Sequence, residues 1–492
     1  MQRAYYLFIC SLFFFSAMAH AQTASVTSDI SKSEVEAHIR FLAADEMQGR
    51  DTGTPELKIA ARYIAAQMQS FGVQTVEGAE GYFQPVPLNK QVPPQQANLD
   101  YDDQSLQLAE DILVIQGNNG ELSGETIFLD FGTETDFEGK DISGKIVVTK
   151  AGLPGETSPR TFLTAGVGKT ERVKAGGGLA LIELYKSTQI PWALLVRYLN
   201  SERLTLGEGG EQDNSFPHLW VNDAQNTHLE AFQDNTPEVE INIAGKGGGA
   251  ITSQNVIGMI EGTDPALKDE YLLITAHYDH VGVEAGKNLP DSIYNGARDN
   301  GVGVASLLSA ARYLGQNPPQ RSVLFLAVTA EEKGLLGSRW YAEHPLIPMQ
   351  QVVFNLNTDG AGYNDTTKLT IIGLGRTSAD QAIQEAAEVA GLEAIADPVP
   401  EQNLFDRSDN VNFASMGVPA VTFSPGLTAF DQEIMKYYHQ LADEAESLNF
   451  NYIEKLCEAF VLSALSIANA DAAPTWEAGD KYESAAQELY GR

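Results

Sequence analysis

The side chains able to do chemistry are strung along the second half of the chain. His277 and Asp279 stand at the end of a mostly apolar run, Tyr271-Leu-Leu-Ile-Thr-Ala276. Asp299 follows in Gly296-Ala-Arg-Asp-Asn-Gly301, Glu331 and Glu332 in Ala330-Glu-Glu332, Asp359 in Asn355-Leu-Asn-Thr-Asp-Gly360, and His439 in Tyr438-His439. A histidine at a strand exit can bind a metal through one ring nitrogen, while the other nitrogen needs a polar partner. Alone, His-x-Asp is equally well a core histidine or a surface loop. One His, one Asp, one Glu, one Asp and one His, in that order, is a set that can ligate two nearby zinc ions. Nitrogen and carboxylate ligands without thiolate suit zinc, with cobalt or manganese as substitutes. A carboxylate shared by two ions about 3.5–4 Å apart makes a co-catalytic centre, able to activate water, polarise a carbonyl and stabilise a tetrahedral intermediate. Adjacent glutamates can divide the work, one on metal and one facing the water as general base.

The elements that must position these groups can be read from periodicity. From Asn255 onward, apolar runs alternate with helical patterns. Strands are expected at Asn255–Ile260, Tyr271–Ala276, Ser322–Thr329, Val352–Leu356, Leu369–Ile372 and Ala420–Phe423. Val304, Leu307, Leu308 and Ala311 mark a helix face, with Asn300 as its N-cap and Gly315 and Pro318-Pro319 as its stop. Further helices are expected at Asp380–Ala390 and Tyr452–Ala468. This alternation predicts an α/β fold, a mixed, mostly parallel sheet flanked by helices. Ligands of such sheets bind beyond the carboxyl ends of the strands, where the candidates fall. Ser33 to Phe71 reads as two helices around the polar turn Gly49-Arg-Asp-Thr-Gly53. Between about residues 95 and 250 short β-type runs recur, among them Ile112–Ile115, Thr126–Leu129, Lys145–Thr149, Leu179–Ile182 and His218–Val221, with a short helix at Thr170–Ala175. That stretch carries no catalytic constellation and reads as a β-rich insert.

A chain of 492 residues is too long for one ordinary core, so two domains are expected. Acidic residues outnumber basic ones 66 to 32, a net charge of −34. Such a field repels nucleic acid and anionic membranes and favours cations. Arg3, the apolar Tyr5–Phe15 and the small-x-small site Ala19-His-Ala21 fit a secretory signal over residues 1–21, with the mature chain starting near Gln22. The expected location is therefore exported, periplasmic or extracellular, with no membrane contact once the signal is removed. Cys10 leaves with the signal and Cys457 is left as a buried free thiol, so no intramolecular disulfide is expected. Nothing in the pattern specifies an oligomeric state.

In order, the motifs resemble the dizinc aminopeptidase family that includes bacterial leucyl aminopeptidase and the catalytic domain of glutamate carboxypeptidase. His277-Tyr-Asp-His280 resembles its H-x-D, Gly296-Ala-Arg-Asp-Asn300 its G-A-x-D-N, Thr329-Ala-Glu-Glu332 its E-E pair, and Tyr438-His439 its last ligand. Ser408-Asp409, with Phe413 and Gly417-Val-Pro-Ala420, resembles a further family segment, in which the residue after Ser-Asp is often His and here is Asn410. The resemblance implies a zinc exopeptidase fold with two Zn²⁺ per chain. It implies His277, Asp299 and Asp359 on one ion, Asp299, Glu332 and His439 on the other, Glu331 as general base and Asp279 orienting His277. It also implies a cis peptide between Asp299 and Asn300. The Asn355–Gly360 run admits two registers. One supplies Asp359, the better ligand and the preferred one; the other would put Asn357 on the metal. Asp141–Val148 and Lys174–Leu181 resemble the protease-associated domain, and Gly49-Arg50 and Tyr82-Phe-Gln84 resemble relatives that carry it. The implied organisation is a peptidase domain at 22–95 and 250–472, a protease-associated-like insert at 96–249 and a polar tail at 473–492. The implied activity is removal of N-terminal residues from peptides with a free N-terminus. The alternatives are a carboxypeptidase, for which Arg298 or Arg407 would be the first candidates to meet the substrate carboxylate, a dipeptidase, and a glutaminyl-cyclase-like acyltransferase with one zinc. A non-catalytic protein on this scaffold, as in transferrin receptor, would usually have lost ligands.

Overall fold

A computed structural model describes residues 26, 29–155, 159–186, 190–207, 215–284 and 291–491. The predicted signal segment, residues 1–21, lies outside them. The chain forms two compact units, one from the residues up to Val86 together with Thr252–Arg492, the other Pro87–Ile251. The division falls inside the strand Phe83–Val92, because Leu88 to Gln91 pair antiparallel with Leu206 to Arg203 of the second unit. It therefore comes earlier than the expected boundary at residue 95.

In the first unit the strands lie in the order Glu393–Ala396, Lys368–Ile372, Ala420–Pro425, Val352–Thr358, Tyr271–His277, Ser322–Val328, Gly247–Ile260. The four strands from Ala420–Pro425 to Ser322–Val328 are mutually parallel, with His277 level with Val328. Gly247–Ile260 and Lys368–Ile372 join this block antiparallel. Central strands covered on both faces read as continuous apolar runs, and Ser322–Val328 is buried at every position. The helix Val302–Gln316 is buried along most of its length, and Phe450–Ala468 presents Ile453, Leu456, Phe460 and Leu465 to the same core. Residues 473–490 belong to this unit as well. Trp476 is buried beside Ile372 and Phe405, the helix Glu483–Tyr490 follows, and the Tyr490 hydroxyl donates to the Val352 carbonyl. The expected polar tail is thus anchored by its aromatic residues.

The second unit is an eight-stranded sheet in the order Gln104–Gln107, Gln96–Tyr101, Glu238–Ala244, Gly120–Phe128, Ile146–Lys150, Ala180–Tyr185, His218–Asn222, Ile112–Gln116. Its core gathers Leu99, Ile146, Val148, Ile182, Leu219 and Ile241. Beneath the sheet a buried Glu183 accepts from Lys169 Nζ at 2.5 Å, His218 Nε2 at 2.8 Å and Trp220 Nε1 at 2.9 Å. Its charge is met from three sides, as a buried carboxylate requires. No helix among the described residues is long and apolar enough to cross a membrane.

Candidate functional site

The parallel strands deliver their carboxyl ends to one place. His277 is the last residue of its strand, Glu331 and Glu332 follow Ser322–Val328, and Asp359 follows Val352–Thr358. Asp299 sits in an irregular turn, Ala297–Gly301, ahead of the Val302 helix, and the Asp299–Asn300 peptide is cis. Asn300 ties that turn to the sheet: its side-chain oxygen accepts from Gly303 N at 3.0 Å and its amide donates to the Thr358 carbonyl at 2.9 Å. Gly296 has φ +61°, and a Cβ there would lie 2.3 Å from the Asp299 carbonyl and 2.6 Å from the His280 ring. The turn therefore needs glycine.

Asp299 is the centre of the arrangement. One carboxylate oxygen lies 3.2 Å from His277 Nε2, the other 3.2 Å from His439 Nε2. His277 Nε2 is also 3.2 Å from an Asp359 oxygen, and His439 Nε2 is 3.1 Å from a Glu332 oxygen. Two donor sets, His277–Asp299–Asp359 and His439–Asp299–Glu332, thus share one carboxylate. Each outer carboxylate is held through its remaining oxygen. Ser408 Oγ donates to Asp359 at 2.5 Å, and His280 Nδ1 is 2.8 Å from Glu332. Asn357, the alternative ligand, is buried and fully engaged: it accepts from Thr275 Oγ1 and donates to Ser408 and Thr422. The structure thus brings the Asp359 register to the site.

Asp279 is buried, and its carboxylate accepts from Glu331 N at 3.1 Å, Glu332 N at 3.4 Å and Thr52 Oγ1 at 3.2 Å. His277 Nδ1 is 3.2 Å from the Asp279 main-chain oxygen and 3.9 Å from its carboxylate. The backbone of Asp279 is therefore the nearer partner of the ring, and its side chain grips the glutamate turn. Glu331 touches none of the histidines within ion-pair distance among the described residues.

Sequence reasoning missed several supports. His280 and Ser408 lie within quoted motifs, so their polar types at those positions were the available signal. Asp443 gave none. Its carboxylate accepts from the backbone N–H groups of Arg298 at 2.9 Å and Asp299 at 3.1 Å, which fixes the bridging residue. Arg50 is buried and donates to the carbonyls of Tyr278, Leu42, Asn295 and Gly296 at 2.5–3.0 Å, stapling the His277 and Asp299 loops. Asn410 is structural, taking a hydrogen bond from Thr422 and donating to the Phe405 carbonyl.

The electrostatics match a site for cations. Burial disfavours ionisation of Glu332, yet the hydrogen bonds from His280 and His439 bring its carboxyl down to about 2. Burial likewise opposes protonation of His439, but Asp299 and Glu332 raise it to about 10. Both shifts report carboxylates that attract positive charge strongly. Among the described residues no lysine or arginine lies within ion-pair distance of Asp299, Glu332 or Asp359, and the groups whose ligand atoms lie close enough to hold a metal ion are His277–Asp299–Asp359 and His280–Asp299–Glu332, the second with His280 in place of His439. Burial holds Glu331 well above the usual carboxylate range, opposed by His277 and reinforced by Asp359 and Asp409. A cleft opens beside the cluster. Glu331, Asp359 and His439 line one part of it, and Leu404, Leu427 and Phe430 line another.

Residues 255–463 match the sequence profile of Peptidase family M28. This segment belongs to that family. Among curated relatives, the chain is similar to aminopeptidase YwaD of Bacillus subtilis, 30% identical over 203 residues covering 40% of this chain and 41% of that one. It is also similar to a vacuolar membrane protease of Candida albicans, 34% identical over 156 residues, 30% of this chain and 17% of the other. The matches thus span less than half of either relative. The fold is that of solved aminopeptidases. The aminopeptidase from Aneurinibacillus sp. strain AM-1 superimposes with a TM-score of 0.60 at 21% identity, over 93% of this chain and 98% of that one. A zinc aminopeptidase from Bacillus subtilis gives 0.50 at 20% identity, over 90% and 97%.

Proposed function

We propose that the protein is an exported, zinc-dependent aminopeptidase that hydrolyses the first peptide bond of peptides with a free α-amino group. The observation that carries this reading is the Asp299 carboxylate, with one oxygen toward His277 and the other toward His439. The names of its relatives, aminopeptidase and zinc aminopeptidase, point the same way. His277, Asp299 and Asp359 would hold one zinc ion, and Asp299, Glu332 and His439 a second. Bound zinc supplies Lewis acidity at a substrate carbonyl and acidifies water.

The chain's own groups supply the rest. Glu331 is the general base: it belongs to neither ligand set, and its carboxyl lines the cleft beside Glu332, where it can take a proton and return it to the leaving amine. Asp279 fixes the backbone of both glutamates, so that base and ligand stay in register. The 96–249 segment is taken as a protease-associated insert outside the chemistry. A panel of peptides with free or blocked ends, assayed with chelator and after zinc is restored, tests the reading. Cleavage of free but not N-acetylated peptides, lost with chelator and recovered with zinc, is expected. Equal rates on acetylated peptides would overturn it.

A further inference from the structure

The cleft beside the metal-ligand cluster contains one strong cation. Arg407 is the single arginine or lysine among its lining residues, which otherwise include the carboxylates Asp299, Glu331, Glu332 and Asp359. Its side chain is exposed, and its guanidinium meets the Tyr438 hydroxyl at 3.3 Å. Among the described residues no carboxylate lies within ion-pair distance of it. That is unusual in a chain of net charge −34. The acid next in sequence is engaged elsewhere, since Asp406 takes Lys481 Nζ at 2.6 Å on both oxygens and the Tyr482 hydroxyl at 3.0 Å. Arg298, the other arginine near the site in sequence, is buried. It lies between the rings of Tyr363 and Tyr437, 4.4 and 3.8 Å from their centroids, and donates to the Ser447 carbonyl. It is absent from the cleft wall.

Resting on the peptidase reading, two divalent cations would balance the four cleft carboxylates and leave the Arg407 charge uncompensated. We propose that Arg407 is a specificity-determining residue that receives a carboxylate of the substrate. A guanidinium offers a planar fork that matches a carboxylate with two hydrogen bonds. Tyr438 links this fork to the ligand His439, over whose ring it stacks at 4.2 Å. A substrate carboxylate can come from two places: the side chain of an acidic first residue, or the free C-terminus of a dipeptide.

The test uses the full mature protein with zinc, in Arg407→Gln, Arg407→Lys and unsubstituted forms. Rates on Glu-Leu-amide against Leu-Leu-amide read the first source, and Leu-Leu against Leu-Leu-amide reads the second. Dissociation constants of the same peptides are measured by calorimetry in a Glu331→Gln background, which gives a readout apart from turnover. One of the two preference ratios should fall about tenfold or more in Arg407→Gln and only partly in Arg407→Lys, in rate and in affinity alike. The ratio that falls names the source. If neither ratio moves while peptides are still cleaved, the proposal is overturned and Arg407 is a solvated surface charge. If the unsubstituted enzyme cleaves no peptide, the peptidase reading itself falls.

Discussion

At the scale of single residues, the proposed roles of the two adjacent glutamates, base and ligand, can be separated by experiment. Glu331→Gln removes a base but no ligand, so metal content should stay at two per chain while the rate falls by about 10²–10⁴-fold with substrate binding largely kept. Glu332 is 3.1 Å from His439 Nε2, and Glu332→Gln weakens one donor set. One zinc should dissociate more easily, and excess zinc should recover part of the activity. Metal content and rate across a zinc titration decide between these roles, and the opposite pattern would exchange them. Ser408 supplies a second prediction. Its hydroxyl orients Asp359 from outside the donor set, and such partners are typically worth 10–100-fold in metal affinity. Ser408→Ala should weaken zinc binding by that order, read by competition with a chromophoric chelator, with little change in unfolding midpoint of the metal-free protein. The side chains that converge at the site were legible because ligation restricts residue type: only His, Asp and Glu needed sorting, and their order did much of it. Asp443 was not legible, because what matters is that its carboxylate reaches two backbone N–H groups some 140 residues away in sequence.

At the scale of elements, strand ends were read well where the strand is central. Tyr271–His277 and Ser322–Val328 are mostly apolar, with every residue but Tyr271 buried, because both faces are covered. Edge strands escaped. Glu393–Ala396 is half-buried at best, so it has no apolar run to announce it. Gln96–Tyr101, one strand in from the edge of its sheet, also escaped, because it buries only Ala97, Leu99 and Tyr101 in alternation with polar residues. The long helix Pro159–Ala175 was foreseen only at its last turn, since glycines and threonines dilute its apolar face. The loops between elements need their own clamp, and Arg50 provides it. Its segment also packs tightly: Gly49 has φ +65°, and a Cβ there would lie 2.3 Å from the Gly282 carbonyl. Arg50→Met leaves the carbonyls of Leu42, Tyr278 and Asn295 unsatisfied in the interior, each costing about 1–3 kcal/mol, while the Gly296 carbonyl keeps its bond from Gly301 N. It should lower stability by at least about 3 kcal/mol in urea unfolding and loosen zinc binding at both donor sets, because the His277 and Asp299 loops lose their common anchor. Unchanged stability and affinity would show that the four contacts are dispensable.

At the scale of the whole molecule, the first unit is held together by one large apolar cluster with smaller ones beside it and, on our reading, by metal. The candidate ligands come from five separate stretches between His277 and His439, so cations bound to them cross-link the sheet's carboxyl edge from several loops. Without cations, the histidines His277, His280 and His439 are the only basic side chains within ion-pair distance of Asp299, Glu332 and Asp359 among the described residues. A ligand that binds only the folded state stabilises it by RT ln(1 + [L]/Kd), on the order of 4 kcal/mol at a thousand times Kd. Disulfides make no such contribution among the described residues, whose single cysteine, Cys457, is free. It is fully buried against Ser306, with burial pushing its thiol up to about 12. Thermal unfolding of the mature protein should therefore respond to chelator and not to reductant. EDTA should lower the midpoint by several degrees, and stoichiometric zinc should restore it. Dithiothreitol at concentrations too low to strip zinc should leave it unmoved. A midpoint indifferent to EDTA in protein shown to have lost its metal would mean that the apolar core alone holds these loops in place.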